Sequence, residues 1–95
     1  MRDRLESHKI QLTLNEHPSW QLENGTLTRW WKFPNFVDAM QFVNGIAALA
    51  EAKQHHPDID IRYNWVKLTL TTHDSGGITA EDVEILSILD QQFGL

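Results

Sequence analysis

Three of the five histidines in this 95-residue chain stand where the backbone pattern changes. His55 and His56 lie between a helical and an extended run, and His73 lies just past a strand pattern at the start of a Gly76-Gly77 loop. Boundary positions let a side chain reach a cleft while rigid elements hold its backbone. Free imidazole, with a pKa of about 6.5, both gives and takes protons near neutrality. The chemistry open to such a set is general acid–base catalysis. Glu51, one helical turn before His55, is placed to accept a hydrogen bond from that ring.

Plainer roles stand beside this reading. A histidine at a helix end also serves as a cap. Asp82 falls in the first turn of a later helix, where carboxylates cap backbone N–H groups. Trp20, Trp30, Trp31 and Trp65 read as core or interface groups. His8 and His17 receive no role. Adjacent histidines on a turn seldom converge on one ion, so no metal is expected. There is no cysteine, which excludes disulfides, thiolate metal sites and a cysteine nucleophile.

The elements that must position the histidines follow from local patterns. Asn24-Gly25 tolerates positive φ at both centres of a type I′ turn and predicts a hairpin with strands near 20–23 and 26–33. In the second strand Leu27, Arg29, Trp31 and Phe33 share one face, and Thr28, Trp30 and Lys32 the other. Asn35 is an N-cap with Asp38 three residues later. Phe36, Met40, Val43, Ala47 and Ala50, joined by Val37, Ile46 and Leu49, predict a helix ending near His55, because Pro57 disfavours a helical His56. Ile59, Ile61 and Tyr63, then Val66, Leu68 and Leu70, predict a second hairpin turning tightly at Asn64. Thr79 with Asp82 starts a last helix whose buried stripe is Val83, Leu86, Leu89 and Phe93. Residues 1–17 give no firm element; Ile10, Leu12 and Leu14 alternate with Gln11 and Thr13, as in an extended segment.

This order predicts an α+β fold, a four-stranded antiparallel sheet of two β-hairpins with helices packed on one face. Residues 1–95 form one domain, with 1–17 its least defined part. If both hairpins share the sheet, the loop after 71 meets the helix end at 55. The formal net charge of −5 argues against a nucleic-acid surface, which needs basic patches. No apolar run approaches the ~18–20 residues of a membrane helix, and Met1 to Lys9 lack a signal-peptide core. A soluble, cytoplasmic protein without membrane contact is expected.

The run Glu51-Ala52-Lys53-Gln54-His55-His56-Pro57-Asp58, then Tyr63-Asn64, Thr71-Thr72-His73-Asp74, Gly77 and Asp82, resembles the pterin-4a-carbinolamine dehydratase family. The wider similarity runs from about Trp20 to Phe93 and includes Phe36, Ala39, Phe42, Val43 and Ala50. The resemblance implies a pterin substrate, 4a-hydroxytetrahydropterin, dehydrated to a quinonoid dihydropterin in tetrahydrobiopterin recycling without any cofactor. It implies His55, His56 and His73 as active-site histidines, with His55 and His73 moving protons and His56 holding the pterin. Glu51 and Asp82 would orient histidines or the ring, and Pro57, Asp58 and Thr72 would shape the pocket. It also implies homodimers that extend the sheet, often paired into tetramers, and an alternative use as a coactivator or assembly factor with a protein partner. The family commonly begins with a short helix, which residues 1–17 do not announce.

Overall fold

Asn24 and Gly25 take φ of 50° and 75°, the left-handed pair that the tight turn demands. In the computed structural model, which describes residues 3–94, they join β1 (Gln21–Glu23) to β2 (Thr26–Lys32). Tyr63 (φ 55°) and Asn64 make the second two-residue turn, between β3 (Asp58–Arg62) and β4 (Trp65–Leu70). Asn64 Nδ2 donates to the Phe33 carbonyl at 2.8 Å, and Phe33 N–H donates to the Asn64 carbonyl at the same distance. That exchange pins one hairpin to the other.

The four strands form one antiparallel sheet in the order β1-β2-β4-β3. Leu27 faces Leu70, Arg29 faces Leu68 and Trp31 faces Val66. This register puts Leu27, Trp31, Val66, Leu68 and Leu70 into one buried layer beneath the helices. Burying such a face is the main source of stability. Trp30 and Trp65 project to the opposite, uncovered face and are 45% and 41% exposed, so neither is a core residue.

α2 (Phe36–Lys53) begins where the Asn35 side chain accepts from Asp38 N–H at 2.8 Å, the cap expected from sequence. Its buried stripe is Ala39, Phe42, Ile46 and Ala50; Phe36 and Ala47, assigned inward from periodicity, are exposed. Phe36 instead stacks on Tyr63, ring centroids 6.5 Å apart, outside the core. α3 (Ala80–Phe93) buries Ile85, Leu86 and Leu89, with Val83 only half-buried.

The N-terminal segment is not extended. Ser7–Glu16 forms a helix, α1, whose Ile10 and Leu14 pack on the core while Leu12 is exposed. The apparent alternation was a helix stripe at i and i+4 with a buried Thr13 between, its hydroxyl donating to the Lys9 carbonyl. Ahead of α1, Leu5 N–H donates to the Ile78 carbonyl at 2.8 Å, and Arg4 pairs with Thr79. Among the described residues no helix is long and apolar enough to cross a membrane.

Candidate active site

α2 stops because Gln54 adopts a left-handed conformation (φ 52°, ψ 39°), and Pro57 keeps the following chain extended. Gln54 N–H and His55 N–H close the last turn onto the Glu51 and Ala50 carbonyls. The left-handed step sends consecutive side chains different ways. His55 turns inward toward α3, 11% exposed, while His56 is exposed. His56 Nε2 faces Glu51 Oε2 at 2.5 Å. Glu51 therefore holds His56 and not His55, contrary to the one-turn spacing argument, because the ring at 55 has left the helix surface.

His55 lies between two carboxylates of α3. Its Nε2 is 2.6 Å from Asp82 Oδ1 and its Nδ1 is 3.1 Å from Glu81 Oε2. Asp82 is fully buried and works in two directions. Oδ1 meets His55, whereas Oδ2 accepts from Thr79 N–H and from the Thr72 hydroxyl, both at 2.8 Å. Asp82 thus completes the predicted capping box with Thr79 and also fixes a histidine. The Thr72 and Thr79 hydroxyls lie 2.7 Å apart, and Glu81 N–H donates to Thr79 Oγ1. With Thr72 donating to Asp82, Thr79 must donate to Thr72, so every proton in this buried chain has an acceptor.

His73 opens a short 3₁₀ turn (His73–Ser75) that Gly76 ends with φ of 72°. Its ring is 71% exposed, with Nε2 3.8 Å from Asp58 Oδ1, beyond a direct hydrogen bond. The β4 end and the α2 end come together, and the three rings share one hollow of about 230 Å³. Its lining comprises His55, His56 and His73 with Gln54, Thr71, Thr72, Asp74 and Glu81. Of the other residues expected there, Glu51 and Asp82 act behind His56 and His55. Asp58 stands beside His73, and Pro57 shapes the turn without lining the hollow. Glu81 escaped the sequence reading; its only signal was a second acidic residue beside the cap. Among the described residues, no group of three or more His, Asp or Glu side chains is arranged to hold a metal ion.

Flanked by carboxylates and floored by hydroxyls, three imidazoles around a small polar hollow can bind a flat polar ring at its edge and exchange protons with it. Comparison with known proteins gives the same direction. The family model of pterin 4 alpha carbinolamine dehydratase matches residues 3–92. A relative from Chloroflexus aurantiacus, provisionally named pterin-4-alpha-carbinolamine dehydratase, is 47% identical over 91 residues, 96% of this chain and 98% of its own. One from Thermomicrobium roseum, named likewise, is 50% identical over 82 residues, 86% of this chain and 88% of its own. A crystal structure from Brucella melitensis, described as a transcriptional coactivator/pterin dehydratase, aligns with TM-score 0.87 at 31% identity, covering 94% of this chain and 97% of that one.

Proposed function

The chain belongs to the pterin 4 alpha carbinolamine dehydratase family, and from that premise we propose that it dehydrates 4a-hydroxytetrahydropterin by proton transfer to and from the histidines of the hollow. The single observation that carries the histidine assignment is the convergence of His55, His56 and His73 on that one cavity. The 4a-hydroxyl is a poor leaving group. As the C4a–O bond breaks, an imidazolium gives the oxygen a proton and water departs. The N5 proton passes to a neutral imidazole, and its bonding pair closes the N5=C4a double bond of the quinonoid dihydropterin. Each positioned transfer contributes roughly 10²–10⁴-fold.

His73 and His55 take the proton-moving roles, and His56 holds the ring. His73 is the accessible partner, 71% exposed and beyond hydrogen-bond distance of the neighbouring Asp58. His55 is the oriented one, set by Asp82 behind it. A pterin entering the hollow competes with Glu81 for His55 Nδ1. His73→Ala and His55→Ala should each lower turnover of freshly generated 4a-hydroxytetrahydropterin by about tenfold or more, with circular dichroism unchanged. Normal rates in both variants would remove the assignment.

The assembly proposed with this function is a homodimer joined along β3, a five-residue strand at the edge of the sheet that pairs, among the described strands, with β4 alone. Two such dimers would pair as a tetramer. Light scattering that reads a strict monomer at micromolar concentration would exclude both. A second reading, a non-catalytic coactivator or assembly-factor module, draws on the description of the Brucella neighbour. It predicts that alanine at His55 and His73 leaves the protein's biological effect intact.

A further inference from the structure

The uncovered face of the sheet carries a second hollow, about 460 Å³, lined by Trp30, Arg62 and Trp65. It shares no residue with the histidine hollow. Trp65 begins β4 and Thr71 follows its end, so about 20 Å of strand separates the two hollows. The proposed dehydration uses none of these three side chains.

The antiparallel register orders this face. In one row Lys32, Trp65 and Arg62 lie side by side, and in the next Trp30, Lys67 and Asp60. The two indoles meet edge to face with centroids 6.1 Å apart. Lys32 Nζ sits 5.4 Å from the Trp65 centroid and Lys67 Nζ 5.7 Å from that of Trp30. Lys67 is already paired to Glu23 at 2.9 Å. Arg62 and Lys32 have no carboxylate partner among the described residues. A chain of net charge −5 therefore keeps two unneutralised cations on either side of a partly exposed indole.

We propose that this hollow binds a small planar aromatic anion, a ring bearing one carboxylate or phosphate. The ring would lie against the indoles, which offer π-faces and an apolar floor. The anionic group would meet Arg62, whose forked guanidinium suits carboxylate and phosphate alike, with Lys32 adding charge. A longer polyanion is disfavoured. Moving along the face from Arg62, the same strand presents Asp60 and then Asp58, and nucleic-acid surfaces need extended positive tracks.

The test is calorimetric titration of the whole chain with 4-hydroxybenzoate and with adenosine monophosphate, using benzyl alcohol as a neutral ring and a short thymidine oligonucleotide as the polyanion. At least one of the two anions should bind saturably, and comparing them tells carboxylate from phosphate. Benzyl alcohol should bind about tenfold more weakly, and Arg62→Gln should cost the bound anion about tenfold in affinity. Trp65→Ala should weaken binding similarly while Trp65→Tyr restores most of it. Should Trp65→Ala fail to fold, Arg62→Gln decides alone, since Arg62 is exposed. Dehydration should proceed unchanged in Arg62→Gln and with the anion bound. The site is refuted if neither small anion binds, if Arg62→Gln binds as the parent does, or if the oligonucleotide binds more tightly than both. Binding lost in His73→Ala but kept in Arg62→Gln would also refute it, by locating the ligand in the histidine hollow. That outcome would not bear on the dehydratase reading.

Discussion

Helix α3 carries a buried or half-buried aspartate at each end, and each meets a histidine at 2.6 Å, yet the two clusters are built for different ends. Asp82, in the first turn, binds His55, Thr72 and Thr79. Asp90, in the last turn, binds His17 Nδ1 at 2.6 Å, Trp20 Nε1 at 2.8 Å and Arg29 Nη1 at 2.6 Å. The helix macrodipole accounts for part of the contrast. A carboxylate is favoured at the N-terminal end, so Asp82 is satisfied by neutral donors and one imidazole. At the C-terminal end it is disfavoured, and Asp90 requires a full cation, the nearly buried Arg29 stacked 4.2 Å over Trp31. Arginine does not give up its proton. The Asp90 cluster therefore keeps a permanent cation and ties α3 to β2, whereas the Asp82 cluster ends in a ring that opens on a hollow. An aspartate–histidine pair marks chemistry only where its remaining partners leave the proton somewhere to go.

The sharpest way to break this contrast is Asp90→Ala. It strands the Arg29 charge inside the molecule and should cost about 3 kcal/mol in urea unfolding, with turnover per folded molecule preserved. Equal losses of turnover and stability would erase the distinction. Asp82→Asn should do the reverse. The side chain still fills its place, but His55 loses its charged partner, and turnover should fall about tenfold with a smaller loss of stability. A shifted pH profile for this variant would separate orientation of His55 from simple loosening.

The smallest effect belongs to the exposed Glu84, which bridges α3 to α2. A hydrogen bond from Lys53 Nζ at 2.7 Å, and the charge of that ammonium, hold its carboxyl below the usual range. A carboxylate depressed in this way adds stability above its unfolded value and loses it as pH falls through the folded one. Glu84→Gln should melt slightly below the parent at pH 7. The difference should fade below about pH 4.3, the ordinary glutamate value. A gap that widened on acidification would reverse the sign.

What could be read from sequence was short in range. Asn24-Gly25, the Asn35 cap and the Thr79–Asp82 box involve residues within three positions of one another, where backbone preference alone decides. The α+β order and four-stranded sheet followed from those stops and from strand alternation. The Asp90 cluster joins residues 61 to 73 positions apart and left no local trace, so His17 received no role. The Glu51 partner was misassigned by one residue because spacing along a helix is blind to the left-handed turn at Gln54. For α1, three apolar residues fitted two periods, and only packing on the core selected the helical one. The histidine trio itself was legible as boundary residues; their meeting follows from the register of the β3–β4 hairpin, Asp58 opposite Thr69, which sets the residues before β3 beside those after β4.

The pairing of Arg4 with Thr79, and of Leu5 with Ile78, has a practical meaning for anyone handling this protein. Thr79 N–H in turn donates to Asp82, the carboxylate behind His55, so only two contacts separate the leading residues from that imidazole. A purification handle fused at the front end therefore sits closer to the histidine hollow than its position in the sequence suggests.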